Sequence, residues 1–251
     1  MDTPSLAAAT LGLAMALSPA AGARAAELKI LAGGAMTASM GELVPQFERA
    51  TGHKLIVKFG GTPELIRLAT SGDPFDLGVF PVDVLKDAAA RAKFASTPPV
   101  DFARVGFGVA FRAGASKPDV STPDALKATL LKAQSVALFP ESAAGAYVLK
   151  TFERLGIADA MKAKTKPMPL GQIAPAVAKG EAELGVFLTN VLIAPGVELA
   201  APFPAQLQQD LVFTGAVAAG TKEADAATAF IAYLKSPEAA AIIKAKGMTP
   251  G

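Results

Sequence analysis

Residues Glu27–Pro63 read ELKILAGGAMTASMGELVPQFERATGHKLIVKFGGTP, and this stretch decides the fold class. Glu27–Ala32 is a short apolar run closed by Gly33-Gly34, which is strand behaviour followed by a turn. Met36, Met40, Leu43, Val44 and Phe47 then recur at helical spacing until Gly52 ends the segment. Pro45 falls inside it and predicts a kink, because proline removes one backbone donor. Lys54–Phe59 alternates Leu55, Val57 and Phe59 with Lys54 and Lys58, again a strand. Gly60-Gly61 follows, and Thr62-Pro63 opens the next helix, with Thr62 as expected N-cap and Pro63 at the first helical position.

The same alternation continues outward. Leu77–Phe80, Val105–Phe111, Val136–Phe139, Leu184–Phe187 and Leu211–Ala218 are further short apolar strand candidates, with helical stretches between most of them. This predicts an α/β fold with mainly parallel sheets buried on both faces. An internal echo bears on domain number. The run Ile66–Asp73 leads into Leu77-Gly78-Val79-Phe80, and Ile173–Glu181 leads into Leu184-Gly185-Val186-Phe187. Both read as helix, glycine stop, acidic turn and LGVF strand. Two lobes of similar build are expected, with a ligand between them at the carboxyl ends of the strands.

Composition narrows the chemistry. The chain has 251 residues, 51% of them apolar, enough for a sizeable core and too many for a disordered protein. It has no cysteine, which excludes disulfide scaffolds, thiolate metal sites and cysteine nucleophiles. With one histidine, His53, a poly-histidine metal site is excluded, and neither metal nor cofactor is expected. The net charge of +2 comes from 24 basic and 22 acidic residues without a basic run, so nucleic acid is not an expected partner. Leu6–Leu17 is an apolar h-region, followed by Ser18-Pro19 and an A-x-A site at Ala23-Arg24-Ala25. This predicts a signal peptide over residues 1–25 and a mature periplasmic chain, although the n-region has no Lys or Arg.

Three strand-to-helix junctions share one property. Gly33-Gly34-Ala35-Met36-Thr37, Gly60-Gly61-Thr62-Pro63 and Pro140-Glu141-Ser142-Ala143-Ala144-Gly145 each put small residues where unpaired amides of a helix start point outward. Hydroxyls at Thr37, Thr62 and Ser142 can add donors, so converging ends would hold an anion without Lys or Arg. Glu64 and Glu141 sit in the same junctions; each either serves its own helix start or faces a hydroxyl or cation on the ligand. His53 reads as solvated on a polar turn and Arg67 as exposed or packed between lobes. Tyr147 reads as core or cleft lining, Asn190 as a turn residue, and Ser236-Pro237-Glu238 as a structural helix cap.

These segments together resemble the periplasmic solute-binding proteins of ABC importers, of the molybdate-binding type. The carriers are Leu28–Thr37 (LKILAGGAMT), Phe47–Phe59 (FERATGHKLIVKF) with Gly60-Gly61-Thr62, Gly180–Val186 (GEAELGV) and Ala229–Pro250 (AFIAYLKSPEAAAIIKAKGMTP). The resemblance covers essentially the whole mature chain. It implies two Rossmann-like lobes joined by two crossing strands, the type II periplasmic binding protein fold, with lobe 1 over 26–106 plus 216–251 and lobe 2 over 107–215. It further implies a monomer that traps a small anion, an oxyanion or a carboxylate, between the lobes and hands it to a membrane permease, with no catalysis of its own.

The family's anion site carries over onto Gly34, Ala35, Met36 and Thr37, Gly61 and Thr62, Ser142, Ala143 and Ala144, Leu170 and Leu188. Two hydroxyl donors of the family are missing: a serine position holds Ala35 and a tyrosine position holds Leu188, whereas Thr62 keeps a hydroxyl. Each lost neutral bond to a buried oxyanion costs about 1–3 kcal/mol, together about two decades of affinity. A divergent ligand is therefore expected. A ligand-presenting sensor is the alternative. A secreted hydrolase using Ser142 lacks both a G-x-S-x-G motif and a base beside it.

Overall fold

The computed structural model describes residues 25–251. The signal-peptide reading, except for Ala25, lies outside the described residues. Strand β1 (Glu27–Gly33) runs parallel to β2 (Lys54–Gly60) and to β3 (Leu77–Pro81). Helix α1 (Thr37–Thr51) connects the first two strands and ends on Gly52 at φ 75°, a left-handed cap that glycine adopts without a Cβ clash. The helix runs unbroken through Pro45. The carbonyl that loses its partner there belongs to Gly41, which is exposed, so water can replace the missing bond.

Helix α2 (Thr62–Thr70) and the single turn α3 (Ala88–Arg91) cover one face of this sheet through Leu31, Leu65, Phe80 and Phe94. The expected cap at Thr62 is displaced by one residue: Gly61 is the N-cap, and the Thr62 hydroxyl does not cap its own helix. Strand β4 (Val100–Val105) then leads through Gly106 into β5 (Phe107–Arg112) of a second sheet. One continuous strand was expected over Val105–Phe111; Gly106 divides it between the two sheets.

The second sheet adds β6 (Val136–Leu138), β7 (Thr165–Pro167), β8 (Leu184–Leu188) and β9 (Val197–Pro202), in spatial order β7-β6-β8-β5-β9. Its helices are α4 (Pro123–Lys132), α5 (Ala143–Arg154), α6 (Ala158–Lys162) and α7 (Ile173–Ala178). The chain returns to the first sheet with β10 (Leu211–Val217), helices α8 (Ala224–Leu234) and α9 (Pro237–Ala245), and β11 (Thr249–Pro250). That sheet has the order β11-β4-β10-β3-β1-β2. Phe230 meets Phe47 edge-on at 5.0 Å, and Tyr233 lies 5.4 Å from the same ring, so the returning helices seal α1 onto the sheet. Ser236 caps α9 by accepting from the Ala239 amide at 3.1 Å, as its sequence context indicated.

The sheets are mixed, not mainly parallel. Strands β5 and β10 each run antiparallel to both of their neighbours. These are the strands that follow a passage between lobes, and a chain entering from the other lobe has no crossover helix to turn it parallel. Strand β10 pairs from Leu211 onward within the first sheet, so the second passage lies ahead of Leu211 and not at residues 215/216. The sequence echo is also visible in three dimensions: β3 and β8 are both fully buried LGVF strands, and each runs straight into a 3-10 turn.

Candidate functional site

The first turn of structure after β1 is a 3-10 turn over Gly34–Met36, and α2 starts after Gly60-Gly61. Neither start has a side-chain cap, so their first amides are free of local side-chain acceptors. Both face α5 of the other lobe across a cleft. Its cavity measures about 30 Å³, space for roughly two water molecules. Gly33, Gly34, Ala35, Gly60, Gly61, Thr62, Pro81 and Phe213 line it from lobe 1. Phe139, Ser142, Ala143, Ala144, Leu170, Phe187 and Leu188 line it from lobe 2, with Leu211 at the crossover.

Nine of the eleven residues carried over from the family share this cavity; Met36 and Thr37 do not. The Met36 side chain is fully buried in the core of lobe 1. The Thr37 hydroxyl donates to the Gly34 carbonyl at 2.7 Å and closes its own turn. The Ser142 hydroxyl is likewise engaged: it accepts from the Gly145 amide at 2.9 Å and donates to the Phe139 carbonyl at 3.1 Å. It is an N-cap first, and its donor is spent on the protein. Thr62 differs, because its Oγ1 accepts the Ala143 amide at 3.2 Å across the cleft. In this closed arrangement a threonine oxygen therefore occupies an amide of the α5 start that would otherwise point into the cleft.

A second bond crosses the cleft. The Asn190 side chain donates from Nδ2 to the Ala35 carbonyl at 2.8 Å, while its buried Oδ1 has no hydrogen-bond partner among the described residues. Asn190 is thus a bridge between the end of β8 and the loop that follows β1, more than the turn residue its sequence context suggested. Its position directly behind an LGVF strand was the available signal. Tyr147 packs its ring 4.5 Å from Phe107 and donates from its hydroxyl to the Leu207 carbonyl at 2.5 Å, which ties α5 to the crossover segment.

The charged candidates lie elsewhere. Glu64 forms a two-point ion pair with Arg67 along α2, at 2.7 and 2.8 Å, on the solvent side. The guanidinium holds its carboxyl below the usual carboxylate range. Glu141 is exposed, and neither acid lines the cavity. His53 is not merely solvated: its Nδ1 accepts from the Ala26 amide at 3.0 Å, and its ring stacks on Phe47. Among the described residues, no titratable side chain lines the cleft and no cluster of potential metal ligands occurs.

The model of the bacterial extracellular solute-binding protein family matches residues 28–249. A Pseudomonas protein named aconitate isomerase is 34% identical over 231 residues, 89% of this chain and 87% of its own. A molybdate-binding protein from Azotobacter vinelandii is 28% identical over 232 residues, 91% of this chain and 92% of its own. Among solved structures, the periplasmic molybdate-binding protein of Azotobacter vinelandii superposes with a TM-score of 0.74 at 21% identity, covering 88% of this chain and 98% of that one. The first of these relatives corrects the expectation that the protein does no chemistry of its own, because a chain this similar over nearly its whole length carries an enzyme's name. Matched by its family model along the two lobes and the strands that join them, the chain belongs to the bacterial extracellular solute-binding proteins and has their two-lobed type II periplasmic binding protein fold.

Proposed function

We propose that this protein closes on a small polycarboxylate of the aconitate class in the interlobe cleft and interconverts its cis and trans forms. The observation that carries this reading is the asymmetry of the cleft. Lobe 1 brings two uncapped starts, whose amides suit carboxylate oxygens, beside Pro81 and Phe213. Lobe 2 brings one capped start at Ser142–Ala144 and a larger apolar set, Phe139, Leu170, Phe187 and Leu188, which suits a carbon skeleton. A tetrahedral oxyanion has no apolar part to place against that wall, and the serine and tyrosine positions that would donate to it hold Ala35 and Leu188. The likeness to the protein named aconitate isomerase supports the same ligand class.

The reaction is a shift of one proton. Aconitate carries a methylene and a vinyl carbon on either side of a central carbon, and each of the three bears a carboxylate. A base must take the methylene proton and its conjugate acid return one; no titratable side chain lines the cleft among the described residues, so that proton carrier is not one of the lining residues. Loss of the proton spreads the electron pair over the three carbons and onto the carboxylate oxygens. Returning a proton to the former vinyl carbon restores the same skeleton with the double bond moved, so the geometry about it can change without any change in oxidation state. Amides aimed at the carboxylates would stabilise the charge that builds up between the two transfers.

Proton NMR of purified protein with cis-aconitate tests this reading. Appearance of the trans form above the uncatalysed rate supports it. A second reading, capture of an oxyanion for delivery to an ABC permease, is favoured by the molybdate-binding relatives. That reading requires a thermal shift that grows with molybdate concentration, without turnover of aconitate.

A further inference from the structure

The cleft cavity is too small for a six-carbon tricarboxylate: about 30 Å³, where small-molecule sites run to roughly 300–1,000 Å³. A second cavity of about 430 Å³ adjoins it and shares Ala143 and Leu211 with it. One face of α5 forms its wall, with Ala143, Ala146, Tyr147, Lys150 and Arg154 in steps of three and four residues. From this continuity, the geometry points to Lys150 and Arg154 as the cationic subsite that takes the second carboxylate of a polycarboxylate whose first carboxylate sits on the cleft amides. This rests on the ligand class proposed above.

Lys150 lies seven residues beyond Ala143, about 10 Å along a helix, and helical side chains lean toward the N-terminus. Its flexible stem therefore leans back toward the cleft. Among the described residues, Lys150 pairs with no carboxylate. Arg154 donates to the Gln206 carbonyl at 2.9 Å, which holds the guanidinium against the crossover segment and leaves other donors free. Two acids share the cavity. Asp83 is engaged by Lys86 at 2.6 Å, and Asp210 is the remaining opposing charge. A ligand with one carboxylate would fill the cleft end and leave the cations unused, so this subsite selects for ligand charge number.

The test compares trans-aconitate, tricarballylate and acetate by calorimetric titration of the wild-type protein and of Lys150→Gln, Arg154→Gln and Arg154→Lys. Lys150 is exposed, and melting temperatures of all variants establish that they fold. Each Gln variant is expected to weaken both tricarboxylates by about three- to ten-fold and to flatten their salt dependence, with acetate unchanged and Arg154→Lys closer to wild type. Tricarboxylate affinity that stays within two-fold in both Gln variants overturns the subsite while leaving the cleft reading intact. A wild-type protein that binds no tricarboxylate overturns the cleft reading and the subsite together.

Discussion

The two walls of the cleft are built from echoing pieces of sequence yet differ in their balance of main-chain donors and apolar side chains. In lobe 1, α2 begins at Gly61-Thr62 and feeds β3, and the residues reaching the cleft there are Gly60, Gly61 and Thr62. In lobe 2, α7 feeds β8, but the residue that reaches the cleft ahead of that helix is Leu170. The difference also holds at the strand ends, where Phe187 and Leu188 of β8 line the cavity but Pro81 alone does so from β3. The repeated supersecondary unit sets the shape of the cleft, and a few side chains at its helix starts and strand ends decide what that shape can hold. One wall offers more main-chain donors and the other more apolar surface.

The largest expected effect breaks the close approach of the walls. A Cβ at Gly61 would stand 2.7 Å from the Glu141 carbonyl oxygen and 3.0 Å from the Phe139 ring, both in the other lobe. Gly61→Ala is expected to leave each lobe folded but to prevent full closure, lowering ligand affinity by at least ten-fold with little change in the ligand-free melting temperature. A variant that binds as tightly as wild type would show that the lobes do not close this far on the ligand.

Leu170→Ala probes the apolar wall. Leu170 is half-buried, and its methyl groups lie over Gly34, where a Cβ would collide with them. Removing it is expected to cost about 1–2 kcal/mol of aconitate binding through lost apolar contact, roughly five- to thirty-fold in affinity. Molybdate, which has no carbon skeleton, would change less. Equal losses for both ligands would remove the distinction between the walls.

Ala35→Ser sharpens the comparison from the other side. It adds a hydroxyl at a position where the resemblance places a donor, on a partly buried residue of the amide wall. The expected gain for molybdate is about 1 kcal/mol, read as a several-fold tighter titration, with no gain for a carboxylate already satisfied by amides.

The smallest expected effect concerns the scaffold behind the amide wall. Glu48 of α1 accepts from the Leu55 amide of β2 at 2.8 Å, and this bond, with Lys54 beside it, holds its carboxyl below the usual carboxylate range. A carboxyl lowered on folding adds stability above its unfolded value, and that stability is lost as pH falls through the folded value. Wild type should therefore lose some melting temperature on acidification through that window, and Glu48→Gln should lack this component. Parallel acid profiles would show that the bond carries no linkage.

Much of this was legible in the chain itself. Glycine stops and strand alternation fixed the β1–α1–β2–α2 order, and the LGVF echo indicated two lobes, because both signals are local. The lobe boundaries were less legible: whether Leu211 pairs in the first or second sheet depends on which neighbour it meets, and that is not written in its own periodicity. Hydroxyl roles were lost for a similar reason. Ser142 looks like a ligand donor in sequence, but capping α5 uses its hydroxyl locally, whereas Thr62 leaves its own helix uncapped and reaches across to Ala143. Asn190 became a bridge because the fold carries Ala35 to it over 155 positions of separation.

The most direct measurement is calorimetric titration of one protein preparation with trans-aconitate and with molybdate, followed by competition between them. Tighter, saturable binding of the carboxylate, with molybdate displaced by it, is the result expected of a cleft that pairs main-chain donors with an apolar wall. Tight molybdate binding that aconitate does not displace would contradict it.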